Sequence, residues 1–86
     1  MPTFTKSQVI ILPRALEYQE LYGISLQEVL ACLNNPDHHT GIATDHYTAE
    51  KDFPTHRVYV YYYRTYPLKY LHECYAIVDF IGYTEK

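Results

Sequence analysis

Tryptophan is absent from this chain of 86 residues, which has only two cysteines, three glycines, three phenylalanines and one methionine. Cys32 and Cys74 lie far apart and form neither a C-x-x-C unit nor a disulfide framework, so both read as small buried hydrophobes. No apolar run approaches bilayer length, which argues against a membrane protein. The opening Met1-Pro2-Thr3-Phe4-Thr5-Lys6 lacks the charged start and apolar stretch of a signal peptide, and a reducing cytoplasm is the expected location. Catalytic and cofactor signatures are missing as well, and no cofactor is expected.

Tyrosine is what the chain has in excess, with 11 residues. A tyrosine packs its ring but keeps a hydroxyl that needs water or a partner, so an excess suits half-buried sheet faces and interfaces. Tyr59, Tyr61, Tyr62 and Tyr63 fall within His56–Arg64, where they share a short run with Val58 and Val60 between Arg57 and Arg64. The net charge of -3 is unevenly spread. Residues 54–72 carry Arg57, Arg64 and Lys69 and no acid, whereas residues 36–53 set Asp37, Asp45, Glu50 and Asp52 against Lys51 alone. The tyrosine-rich segment is therefore the one basic zone of an acidic chain.

A chain of this length makes one domain, residues 1–86, with a small core. Ser7–Leu12 is a short β-branched run that reads as a strand stopped by Pro13, itself well placed in the first turn of a helix. From Arg14 to Tyr22, Ala15, Tyr18, Leu21 and Tyr22 recur at helical spacing, with Glu17, Gln19 and Glu20 pointing away and Gly23 as the C-terminal cap. Ser25-Leu26-Gln27-Glu28 reads as a capping box, in which serine and glutamate reciprocally satisfy free N–H groups. Leu26, Val29, Leu30 and Leu33 then form a core stripe that ends at Asn34-Asn35-Pro36.

Residues 37–55 are polar and show little period, with room for one short strand within Thr40–Thr48. In His56–Arg64, alternation puts Val58, Val60 and Tyr62 toward the helices and Arg57, Tyr59, Tyr61 and Tyr63 on the other face. Residues 65–70 make a turn or wide connection. A long strand returns over Leu71–Tyr83, with Cys74, Ala76, Val78 and Phe80 on one side and Tyr75, Ile77, Asp79 and Ile81 on the other; Gly82 weakens its end. The expected class is α+β: an N-terminal strand, a two-helix hairpin, then an antiparallel sheet of two or three further strands with the helices on one face.

Val9–Glu17, Tyr22–Val29 and Asn34-Asn35-Pro36-Asp37 together resemble a family of small bacterial proteins related to RelE/ParE-type and BrnT-type toxins. Those sequences open with a strand and a helix pair that ends in Asn-Pro. The resemblance covers about the first 37 residues. It implies a RelE-like fold in a bacterial or phage protein, and as an activity a metal-independent endoribonuclease or an RNA-binding derivative of one. Arg14 stands where the family has histidine and Tyr22 where it has arginine, so the fold is what carries over.

Several constellations are candidates for function. Arg57, Tyr59, Tyr61, Tyr63 and Arg64, with Lys69 and His72 nearby, offer rings for stacking unpaired bases and cations for phosphate. The same face equally suits a protein partner or a homodimer, and in an acidic chain with few cations protein contact is the leading reading. RNA cleavage would need His56, His72 or Glu73 for proton transfer and Arg57 or Arg64 for the phosphate. Asp37-His38-His39 with Asp45-His46 matches no established metal-ligand spacing and reads as a solvated acidic loop. Asp79, between Ile77 and Ile81, is expected to be a buried carboxylate paired with an arginine or a tyrosine hydroxyl.

Overall fold

In the computed structural model, which describes residues 4–66 and 74–86, a 3-10 turn at Lys6–Gln8 leads into β1 (Val9–Ile11) and then α1 (Pro13–Tyr22) and α2 (Leu26–Asn34). β2 (His38–Ala43), β3 (His46–Asp52), β4 (His56–Thr65) and β5 (Tyr75–Glu85) follow. Pro13 does begin α1, and Gly23 ends it in the left-handed region at φ 67°. Ser25 caps α2 by accepting from the Glu28 amide at 3.1 Å. The reciprocal half of the expected box is replaced, because one Glu28 oxygen turns to the Ser25 hydroxyl and the other to His56.

The polar segment 37–55, expected to hold one short strand, is a hairpin of two. β2 and β3 pair antiparallel around Thr44-Asp45, and Asp45 supplies the turn by adopting φ 58°, which aspartate tolerates better than most residues. Its sequence shows no clean apolar alternation because β2 is an edge strand, mostly exposed along its length.

The sheet order is β1-β5-β4-β3-β2, antiparallel except for the parallel pair β1 and β5. The architecture is thus α+β, with two helices packed against five strands, more strands than the sequence suggested. β4 keeps its expected alternation. Val58, Val60 and Tyr62 are all fully buried, under α2 residues Val29, Cys32 and Leu33. The T-shaped contact of Phe4 with Tyr62, at 6.1 Å, closes one end of this core.

β5 departs from a simple period of two. Tyr61 pairs with Phe80 but Tyr62 pairs with Val78, so Asp79 is the extra residue of a bulge. Ala76 and Val78 share the core face with Ile81 and Tyr83, whereas Ile77, Phe80 and Gly82 lie on the opposite face. The expected grouping of Phe80 with Val78, and of Ile81 with Ile77, is corrected by that one insertion. Asp79 itself is half-buried and has no side-chain hydrogen bond or ion pair among the described residues. Gly82 does not end the strand, which runs on to Glu85.

Beyond Ile11, α1 takes the place of β1 beside β5, starting from a Leu12 amide bond to the Val78 carbonyl. Ala15 is buried, but Leu21 is 71% exposed, so the stripe expected on α1 is narrower than its spacing implied. Among the described residues no helix is long and apolar enough to cross a membrane.

Candidate functional site

The face of β4 opposite α2 carries Arg57, Tyr59, Tyr61 and Tyr63, as alternation requires. Cross-strand pairing sets each beside a β3 residue: Asp52 with Arg57, Glu50 with Tyr59, Thr48 with Tyr61 and His46 with Tyr63. The three tyrosines are half-exposed. His46 stacks on Tyr63 at 5.4 Å, and its Nδ1 lies 3.3 Å from the Tyr61 hydroxyl, so the centre of the face is a set of touching rings with polar edges.

Arg57 is held by acids. Its Nε and Nη2 donate to the two Asp52 oxygens at 2.7 and 3.3 Å, and Nη1 faces Glu50 at 3.7 Å. The Asp52 carboxyl sits below its ordinary range, first because Arg57 donates into it. Lys86 approaches Asp52 as well, at 3.6 Å.

Arg64, expected to join this face, is on the α2 side. Its even position in the alternation puts it with Tyr62, and its guanidinium lies 4.3 Å from the centroid of the Tyr47 ring. Nearby, His39 Nε2 meets the Tyr62 hydroxyl at 2.7 Å and the His39 ring stacks on Tyr47. Burial, and then the Arg64 charge, lower the His39 pKa, while burial pushes the Tyr62 hydroxyl up.

His56 also faces α2. Both ring nitrogens are engaged, Nε2 with Glu28 and Nδ1 with the Thr55 hydroxyl at 3.0 Å, and the ring stacks with Phe53 and Tyr83. Of the residues proposed for RNA cleavage, His56 and Arg64 therefore share a face but stand roughly 26 Å apart along an extended strand. Arg57 points the other way, and Lys69, His72 and Glu73 lie outside the described residues. Adjacent His38 and His39 point to opposite faces of β2, and no group of metal-ligating side chains forms among the described residues. Cys32 and Cys74 are both buried, and burial raises the Cys32 thiol to about 12.

Sequence reasoning did not find the cleft where α1 passes the Arg57 end of this face. It has a volume of about 400 Å3, and Tyr18, Tyr59, Phe80, Gly82, Glu50 and Arg57 are among its lining residues. Only the bulge at Asp79 turns Phe80 toward Tyr59, and a bulge leaves no mark in residue types. Searches of family models, curated proteins and solved structures give no match to this chain.

Proposed function

We propose that this protein is a small binding module without catalysis of its own, which contacts another protein or a second copy of itself through Tyr59, Tyr61 and Tyr63 with Arg57 at one end. The observation that carries this reading is the state of Arg57, whose guanidinium is engaged by Asp52 and faced by Glu50. An arginine so neutralised contributes little to a phosphate grip, which depends on releasing counterions with free cations. Arg64 lies on the other side of the strand, leaving the face near neutrality. Tyrosine rings with few free charges match the composition of protein interface cores.

Light scattering of the purified protein, together with identification of whatever co-purifies with it, tests the proposal. The expected result is a dimer or a defined complex that Tyr61→Glu dissociates while its circular dichroism stays that of the wild type. A wild type that is monomeric and partnerless, or a folded Tyr61→Glu variant that keeps its partner, overturns the proposal.

A further inference from the structure

The cleft between α1 and the Arg57 end of β4 narrows down what the partner presents, an inference that rests on the protein-contact reading above. Its walls are aromatic rings, stacked where Tyr22 meets Tyr18 and Tyr83 and set at steep angles around Phe80. Tyr18 and Phe80 have centroids 5.1 Å apart and planes 57° apart, and Phe80 meets Tyr59 at 6.4 Å and 71°. Such walls offer both faces and edges, which is how a further ring is accepted in offset or T-shaped contact. Gly82 lies at the bottom, where a Cβ would sit 3.4 Å from the Phe80 ring and 3.5 Å from Tyr59 Cβ, so its absence leaves room above the strand.

Two polar groups on the wall have capacity to spare. Arg57 engages Asp52 through Nε and Nη2, while Nη1 stands 3.7 Å from the Glu50 carboxylate, beyond hydrogen-bond reach. Glu50 accepts no side-chain hydrogen bond among the described residues. A donor and an acceptor this close together match the C=O and N–H of neighbouring peptide groups.

We infer that the cleft receives an aromatic side chain of a partner protein, with the flanking backbone lying across Arg57 and Glu50. The partner's carbonyl accepts from Arg57 Nη1, and its N–H donates to Glu50. A volume of about 400 Å3 holds one ring and its peptide groups. Charge argues against a phosphate-bearing ligand, which meets the carboxylates of Glu50 and Asp52 beside a guanidinium that Asp52 already engages. A buried aromatic anchor inside a wider, weaker contact is the usual energetic layout of a protein interface.

The probe is N-acetyl-tryptophanamide. Because the chain contains no tryptophan, indole emission can be excited apart from the tyrosines. The expected result is a saturable rise in probe anisotropy, competed by N-acetyl-phenylalaninamide and about tenfold less well by N-acetyl-alaninamide. Glu50→Ala and Gly82→Val, each checked for a wild-type circular dichroism spectrum, should each weaken probe binding about tenfold. Absence of saturable binding to the folded wild type overturns the inference, as does binding that neither folded variant weakens. Displacement by guanosine monophosphate at lower concentration than by N-acetyl-phenylalaninamide also overturns it, in favour of a nucleotide. Probe binding reads the cleft and the assembly state of Tyr61→Glu reads the whole face, so the two proposals fail separately.

Discussion

Glu28 Oε2 and His56 Nε2 stand 2.5 Å apart, joining the first turn of α2 to the first residue of β4 across 28 positions of sequence. The imidazole is only 17% exposed, and rings of Phe53 and Tyr83 stack with it. Alternation puts His56 on the helix side with Val58 and Val60, and the Glu28 contact makes it a fixed joint between layers. Glu28→Ala leaves the buried edge of His56 without its partner and should lower unfolding free energy by about 1 kcal/mol, with Glu28→Gln losing less. Urea denaturation of the three proteins checks this, and equal midpoints for wild type and Glu28→Ala would contradict it.

Tyr62 is fully buried, yet its hydroxyl reaches His39 at 2.7 Å. Tyr62→Phe keeps the ring and its contact with Phe4, and should cost about 1 kcal/mol for the lost hydrogen bond. Tyr62→Ala also opens a cavity under α2 and should cost about 3–5 kcal/mol, a large part of the stability of a domain this size. Equilibrium unfolding separates the two; a Phe variant as damaged as the Ala variant would show that the hydroxyl, not the ring, dominates.

His39 predicts a pH dependence. Burial and then Arg64 hold its folded pKa below the ordinary 6.5, so the unfolded chain takes up the proton more readily than the folded one. Its contribution to stability is therefore complete above 6.5 and is lost as pH falls through the lowered folded value. The urea midpoint should drop between about pH 7.5 and pH 5.5, and His39→Gln, which cannot titrate, should show a shallower drop. Equal slopes in both proteins would remove His39 as the cause.

Asp52 is what keeps Arg57 from acting as a free cation. Asp52→Asn withdraws that charge and should raise retention on a heparin column, with little effect on the urea midpoint because the pair is exposed. Unchanged retention would mean that Arg57 was available to anions all along.

Much of the fold could be read from local patterns because each is set by near neighbours. Pro13, Gly23 and Ser25 mark helix ends through backbone geometry, and Val58, Val60 and Tyr62 mark a buried face through a period of two. The β2–β3 hairpin escaped because an edge strand such as His38–Ala43 buries little and needs no apolar period, and its turn relies on Asp45 where a glycine would have been conspicuous. The candidate face was legible at Arg57, Tyr59, Tyr61 and Tyr63. The neutralisation of Arg57 and the cleft were not, because they depend on which residues of β3 and α1 arrive from elsewhere in the chain; the side taken by Arg64 follows from the same period of two that sets it with Tyr62.

The extra residue at Asp79 divides β5 into two lengths with opposite tolerance to substitution. Before it, the even positions Ala76 and Val78 face the helix and should reject polar or larger residues. After it, the odd positions Ile81 and Tyr83 inherit that intolerance, and the even positions Phe80 and Gly82 come under whatever selection acts on the outer face. A scan of all substitutions along the strand should therefore show a rhythm of two that skips a beat at position 79. Deleting that single residue should leave every face as it is, since Tyr62 with Val78 and Tyr61 with Phe80 then become consecutive pairs of a regular ladder, whereas deleting any interior neighbour should exchange the faces of everything beyond it.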